Sequence, residues 1–139
     1  MSQLRKTDTL KNGDLQTYNI TKSIYILKRS LLEHESYIVV MNFGSETESV
    51  IPSNIVKNLK NELYVYLESE NSAYNIGNII STVSSAGNPL TLRPQSVVVL
   101  TDKYIAPEIS TIDTQSAGTQ ISSKLIRVFS IFLVLKYFL

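Results

Sequence analysis

Two pairs of carboxylates are the residues of this chain best placed to do chemistry. Glu33 and Glu35 flank His34 in a charged connection, and Glu46 and Glu48 alternate along a polar segment. Glycoside hydrolysis uses two carboxyl groups, which lie about 5–5.5 Å apart in retaining enzymes and about 6.5–9.5 Å apart in inverting ones. Either pair could approach these distances. Because nothing in the sequence buries one member of a pair and so separates the two pKa values, we expect solvated carboxylates and no catalytic site.

The composition argues against several other kinds of site. His34 is the sole histidine and there is no cysteine, so neither a metal site nor another cofactor is expected, and disulfides and cysteine catalysis are excluded. Thirteen basic and twelve acidic residues leave a net charge of +1 with no basic face. We therefore expect no nucleic acid among the partners.

Tyrosines form the other set with binding chemistry. Over Glu62–Ser69 apolar residues alternate with tyrosines, so Tyr64 and Tyr66 lie on one face of a predicted strand. Such a face could stack weakly on sugar rings. We favour the alternative that it packs on another protein surface, because an exposed apolar patch generally marks an interaction surface. The tyrosines considered for this role are Tyr18, Tyr25, Tyr37, Tyr64, Tyr66 and Tyr74.

The elements that would position these residues are predicted to be strands, because Ile, Val, Tyr, Ser and Thr are abundant. Ser36–Phe43 is nearly continuous in apolar residues, which indicates a central strand buried on both faces. The predicted strands are Asp14–Ile20, Lys22–Ser30, Ser36–Phe43, Glu46–Ile51, Glu62–Ser69, Ile79–Val83, Leu90–Leu92 and Ser96–Thr101, the last two as a strand pair.

Seven or eight short strands with a turn signal every ten or so residues predict an all-β fold, an antiparallel β-sandwich. The length of 139 residues fits one domain with appendages. We predict the end of a preceding helix and a linker at 1–12, the sandwich at 13–103, a disordered, flexible Ser/Thr-rich stalk at 104–124, and a short hydrophobic helix at 125–139.

The C-terminal pattern is typical of a glycolipid-anchor (GPI) signal. Small residues begin at Ser116, where the anchor would be attached, and a polar spacer leads to the apolar segment Leu125–Leu139. The spacer is shorter than the usual ~8–12 residues, and the segment includes Arg127 and Lys136. As a helix it would rise about 22 Å, less than the roughly 30 Å of a hydrocarbon core. Three interpretations stay open: a removed signal, a weak membrane anchor, or a buried helix.

The N-terminal residues contain no apolar stretch typical of a signal peptide. Since an anchor signal is read only in the secretory pathway, we expect this chain to be the C-terminal piece of a longer protein that is secreted or held at the cell surface. The chain's own localisation stays open. In that pathway Asn19-Ile20-Thr21 would be an N-glycosylation acceptor at a hairpin turn, with Asn19 as the modified residue.

Several segments, taken in their order and spacing, resemble the C-terminal β-sandwich of family 13 glycoside hydrolases, the α-amylase family, and especially the insect α-glucosidases (maltases). The resemblance spans roughly residues 3–101 and implies that the first segment closes the last helix of a catalytic (β/α)8 barrel, with the sandwich behind it. Some mosquito maltases of this family carry a C-terminal glycolipid anchor, which fits Ser116–Leu139. The segments are Leu4-Arg5-Lys6, Gly13-Asp14-Leu15, Tyr37–Gly44 and Leu92–Leu100.

The resemblance implies a non-catalytic domain that packs against and stabilises a catalytic barrel absent from this chain. The family's catalytic aspartates and glutamate lie on barrel loops, and no segment here resembles its Gly-Phe-Arg-x-Asp motif, so the chain by itself is not expected to be an enzyme. The parent's reaction would be retaining hydrolysis of terminal α-1,4-linked glucose. Two alternatives stay open: a stand-alone carbohydrate-binding module, and the accessory domain of an amino-acid transporter heavy chain, which also resembles this family.

Overall fold

The computed structural model describes residues 6–83 and 89–104, together with Lys136. Strands make up nearly all of the regular secondary structure of the described residues, which confirms the all-β prediction. Its elements are α1 Asp8–Asn12, β1 Asp14–Asn19, β2 Ile24–Ser30, β3 Tyr37–Asn42, β4 Glu48–Val50, a 3-10 turn at Pro52–Asn54, β5 Glu62–Glu68, β6 Ile79–Ser81, β7 Leu90–Leu92 and β8 Ser96–Thr101.

The strands form two antiparallel sheets, as a sandwich requires. The large sheet has the order β1-β2-β3-β8-β5-β6, and the small sheet consists of β4 and β7. β3 is buried at every position, which confirms the prediction of a central strand. The prediction that Leu90–Leu92 and Ser96–Thr101 pair with each other is wrong, because β7 pairs with β4 while β8 lies between β3 and β5.

The turn between β7 and β8 explains this difference. It contains Pro94, which has no N–H to donate to a ladder, and Gln95, whose φ of 56° lies in the left-handed region. The Ser96 hydroxyl donates to the Arg93 carbonyl at 2.7 Å and closes the turn. The chain therefore changes sheets here, where spacing alone indicated a hairpin.

The main core lies between the two sheets. We call the side of the large sheet that faces the small sheet the inner face. Cross-strand rows such as Ile26–Val40–Val98 place apolar side chains directly opposite one another on it. The buried residues of this core are Ile24, Ile26, Ile38, Val40, Val50, Val56, Leu63, Val65, Ile80, Leu90, Leu92, Val98 and Leu100. Burying each of them contributes up to about 1.5–3 kcal/mol.

Asn42 fastens the two sheets together at the end of β3. Its side-chain amide donates to the Glu46 carbonyl at 2.7 Å and to the Leu92 carbonyl at 3.1 Å. Its Oδ1 accepts from the Gly44 N–H at 2.8 Å. This buried polar side chain is thus fully hydrogen-bonded, as buried amides generally are.

The opposite side of the large sheet, which we call the outer face, is also apolar. A second cluster lies there, and α1 contributes Leu10 to it. The Arg29 guanidinium donates to the Leu10 carbonyl, and the Thr9 hydroxyl donates to the Glu35 carbonyl at 2.7 Å, so α1 is held on this face. The buried residues of this cluster are Leu10, Leu27, Tyr37, Val39, Met41 and Val99.

Several predictions fall outside the described residues: the Ser/Thr-rich stalk beyond Tyr104, the apolar helix at 125–139 and anchor attachment at Ser116. These stay predictions. Among the helices of the described part, none is long and apolar enough to cross a membrane.

Candidate functional site

The carboxylates Glu33 and Glu35 lie in the connection between β2 and β3, in different surroundings. Glu33 is exposed and has a φ of 64°. Glu35 is half-buried and accepts a hydrogen bond from the Tyr37 hydroxyl at 3.3 Å. His34 is exposed in the same turn, with its backbone N–H bonded to the Leu31 carbonyl at 3.1 Å. The turn therefore holds one solvated carboxylate and one that supports a buried phenol.

Glu46 and Glu48 also help to hold the fold together. The backbone carbonyl of Glu46 accepts a hydrogen bond from the Asn42 side chain, and Glu46 is exposed. The Glu48 carboxylate accepts from the Thr21 hydroxyl at 3.1 Å, which joins the β1–β2 hairpin to β4. Within residues 6–83 and 89–104 no three His, Cys, Asp or Glu side chains come close enough together to hold a metal ion.

Tyr37 is the buried centre of a small polar cluster beneath α1. Its ring meets the Tyr66 ring edge-on, with centroids 5.7 Å apart and planes at 81°. Burial, followed by the nearby Glu35 carboxylate, raises the pKa of Tyr37 far above its ordinary value. The same two causes raise the pKa of Tyr66. Both phenols therefore stay protonated, and the cluster stabilises the fold.

The predicted pair of Tyr64 and Tyr66 does not form a flat platform. Tyr66 packs against Tyr37, whereas the Tyr64 ring lies beside Tyr104, with centroids 5.6 Å apart and planes at 56°. Ile79 is directly opposite Tyr64 in the strand register and is 59% exposed. We call Tyr64, Ile79 and Tyr104 the Tyr64 patch. The sequence predicts no contact for Tyr104, because this residue follows the last strand at the start of the predicted stalk.

The outer face has two distinct ends. A continuous cross-strand row runs Leu15–Arg29–Tyr37–Thr101–Tyr64–Ile79 beside α1; we call this the α1 end. At the other end of the same strands, Asn19 lies opposite Tyr25. The Tyr25 ring meets the Phe43 ring edge-on, with centroids 5.7 Å apart. We call this the hairpin end.

Exposed apolar side chains concentrate on the outer face. Among the described residues five large apolar side chains are exposed, and Leu32 alone of these lies in a loop away from the large sheet. The register and the ring contacts place the other four on the outer face. They are Leu15, Phe43, Ile79 and Tyr104. A face of this kind is typical of contact with another surface.

Comparison with protein-family models gives no match, and comparison with curated proteins gives none either. Among solved structures the chain is similar to part of trehalulose synthase MutB, a family 13 glycoside hydrolase. A mutant of that enzyme soaked with trehalulose matches with a TM-score of 0.48 and 21% identity over 70% of this chain and 15% of that chain.

The MutB enzyme from Pseudomonas mesoacidophila MX-45 matches with a TM-score of 0.44 and 22% identity, over 69% of this chain and 15% of that chain. This chain thus spans about 15% of the length of the enzyme structures that it matches.

Proposed function

We propose that this chain is the non-catalytic C-terminal β-sandwich domain of a family 13 α-glucosidase (maltase), and that it packs against and stabilises a catalytic barrel. The segments that resemble the family fall on structurally connected elements. Gly13-Asp14-Leu15 forms the junction between α1 and β1, Tyr37–Gly44 contains β3, and Leu92–Leu100 contains most of β8. β3 and β8 are neighbours at the centre of the large sheet, which supports the resemblance.

One observation carries the docking part of the proposal: the large sheet is apolar on both faces. A two-sheet sandwich needs only the inner face to be apolar. On the outer face Leu15, Ile79 and Tyr104 stay exposed at the α1 end. An apolar margin of this kind is typical of a surface that contacts a further domain.

The position of α1 indicates where that domain lies. α1 precedes β1 in the chain and rests on the outer face through Leu10. A polypeptide segment that precedes α1 would therefore approach the sheet from this side. We expect the barrel to pack on the α1 end, where it would cover Leu15 and the Tyr64 patch.

The proposal extends to the reaction and to the location of the parent. The parent would hydrolyse terminal α-1,4-linked glucose with retention, by residues outside this chain. It would pass through the secretory pathway and be held at the cell surface by a lipid at Ser116. The sequence pattern of 116–139 supports this part.

The absence of a catalytic role is tested by a maltase assay on the purified chain. We expect no glucose release from maltose above the buffer background, because one carboxylate of each pair is used in the fold: Glu35 is hydrogen-bonded to Tyr37, and Glu48 to Thr21. Turnover that disappears in Glu33→Gln or Glu35→Gln would contradict the proposal. His34→Gln is the matched control in the same turn.

A second candidate function rests on the Tyr64 patch. Two adjacent tyrosine rings, one of them 51% exposed, could stack on a sugar ring in a stand-alone carbohydrate-binding module. Electrophoresis through gels containing maltodextrin tests this function. It predicts retardation that is lost in Tyr64→Ala and in Tyr104→Ala and kept in Tyr18→Ala at the opposite edge of the sheet. Unretarded migration of the unmodified chain would leave docking as the role of the patch.

A further inference from the structure

The β1–β2 hairpin holds the Asn19-Ile20-Thr21 acceptor in a fixed geometry. The Ile20 N–H donates to the Ile24 carbonyl at 3.0 Å. The Thr21 hydroxyl oxygen accepts from the backbone N–H groups of Ser23 at 3.1 Å and Ile24 at 3.0 Å. Asn19 is exposed at the end of the edge strand β1. Its side-chain amide is therefore accessible, and the hairpin fixes where a sugar attached to it would lie.

Asn19 faces an aromatic side chain on the neighbouring strand. Since Ile20 and Ile24 form a hydrogen-bonded pair, Asn19 and Tyr25 form the next, non-hydrogen-bonded pair. Side chains of such pairs are the closest across an antiparallel ladder, with Cβ atoms about 5 Å apart. Asn19 and Tyr25 thus project from the outer face side by side.

The aromatic surface continues from Tyr25 to Phe43. The two rings meet at an interplanar angle of 66°, and Phe43 is 57% exposed. The Phe43 N–H donates to the Ser23 carbonyl at 2.9 Å, which fixes Phe43 beside the hairpin. Covering this ring would remove apolar area from water, which is favourable.

We propose that Asn19 carries an N-linked glycan and that its first sugar packs over the Tyr25–Phe43 ring pair. A β-linked N-acetylglucosamine has equatorial substituents, so its ring presents C–H groups on both faces. Those C–H groups fit an aromatic surface, and the Asn19 linkage delivers the first sugar directly beside it. The sugar would shield Phe43 while its hydroxyl groups stay in water.

The modification is a glycosyl transfer from a lipid-diphosphate-linked oligosaccharide. A bond forms between Asn19 Nδ2 and the anomeric carbon of the first sugar, and the bond from that carbon to the diphosphate oxygen breaks. The amide nitrogen gives up one proton, and the lipid diphosphate leaves with the electron pair. The acceptor tripeptide supplies the hydroxyl of Thr21 that this transfer requires.

The glycan and the proposed barrel contact occupy different ends of the outer face. Asn19, Tyr25 and Phe43 lie at the hairpin end, whereas α1 and the Tyr64 patch lie at the α1 end. The inference requires passage through the secretory pathway and does not require a catalytic barrel. The two proposals share the secretory pathway, but an absent barrel contact leaves the glycan proposal standing, and an unmodified Asn19 leaves the barrel contact standing.

The modification is tested by expressing the full chain behind an added signal peptide in a eukaryotic host. We expect a gel mobility shift that a peptide-N-glycosidase removes. Asn19→Gln and Thr21→Val should abolish the shift, whereas Thr21→Ser and the control Asn12→Gln should keep it. Secreted protein without the shift would overturn the proposal.

The packing of the first sugar is tested by thermal unfolding. Chain trimmed to a single sugar by an endoglycosidase is compared with Asn19→Gln. We expect the single sugar to raise Tm by about 3–6 °C, and this rise to fall below about 1 °C when Phe43 is changed to Ala. Phe43→Leu keeps an apolar side chain without the ring and should give the same loss. An equal rise with and without the Phe43 ring would contradict the contact.

Discussion

Tyr37 is a single side chain that supports the fold in several ways. Its ring is fully buried on the outer face, its hydroxyl is bonded to Glu35, and its edge contact with Tyr66 fills the space under α1. Glu35, which is a candidate catalytic carboxylate by spacing alone, is thereby committed to a structural hydrogen bond. Glu35 and Tyr37, whose side chains could take part in catalysis, are thus used to hold the fold together.

The raised pKa of Tyr37 makes stability depend on pH in alkaline solution. The folded-state pKa of Tyr37 is above the unfolded value of about 10. The protonated Tyr37 therefore contributes its full share of the unfolding free energy below pH 10, and this contribution is lost as pH rises further. We expect the unfolding free energy of the unmodified chain to fall by about 1 kcal/mol more than that of Tyr37→Phe between pH 10 and pH 11. Urea unfolding at several pH values measures it.

Thr9→Val is the matched control for this prediction. It removes the hydrogen bond from α1 to the Glu35 carbonyl but no titrating group. Its stability should fall at every pH while its pH dependence stays that of the unmodified chain. Parallel pH profiles for the unmodified chain and Tyr37→Phe would contradict the pKa assignment.

The contacts of single residues were the hardest feature to predict from the sequence. Lys28 follows an apolar run, and nothing in the sequence shows that its stem is buried on the inner face with the ammonium bonded to the Lys57 carbonyl at 2.9 Å. Tyr104 lies beyond the last strand, so periodicity gives it no partner. Both roles depend on contacts between segments distant in the chain, which local patterns do not encode.

The junction of α1 and β1 depends on Gly13. Gly13 ends α1, its N–H donates to the Thr9 carbonyl at 2.9 Å, and the chain continues directly into β1. A Cβ at Gly13 would lie 2.9 Å from the Ser30 carbonyl oxygen and closer still to that of Thr9. The missing side chain therefore allows the end of α1 to touch the end of β2.

Gly13→Ala should separate α1 from the large sheet. Because both obstructing atoms belong to the backbone, the change should lower the unfolding free energy by about 1–3 kcal/mol. Asn12→Ala, an exposed neighbour in α1, should change it by less than about 0.5 kcal/mol. Chemical denaturation of both variants measures the difference. Equal stabilities would show that the junction is not tightly packed.

Strands were predictable because their side chains repeat with a period of two or are continuously apolar. The patterns of Ser36–Phe43 and Glu62–Ser69 each located a strand to within one or two residues of β3 and β5. Pairing was less predictable, since β7 and β8 are close in the sequence and yet belong to different sheets. Which sheet a strand joins depends on which faces pack together. This packing is a property of the assembled core and not of the local sequence.

The large sheet is apolar on both of its faces, and this property organises the whole molecule. The inner face closes the sandwich, and the outer face presents α1 and the Tyr64 patch at the α1 end and Asn19 at the hairpin end. The all-β class followed from composition and strand patterns. The sequence predicted that the face carrying Tyr64 packs on another surface. That Tyr104 and Ile79 lie beside Tyr64 depends on the fold and the register, so it could only be seen in the structure.

We propose that this sequence is the C-terminal domain of a longer enzyme. The most direct measurement is the mass of the native polypeptide, captured from the source cells with an antibody against residues 13–103 and followed by peptide mass spectrometry. The proposal predicts a species much larger than 15.6 kDa, with peptides of a catalytic barrel N-terminal to this sequence in the same chain. A native product of 15.6 kDa that contains this sequence alone would contradict it.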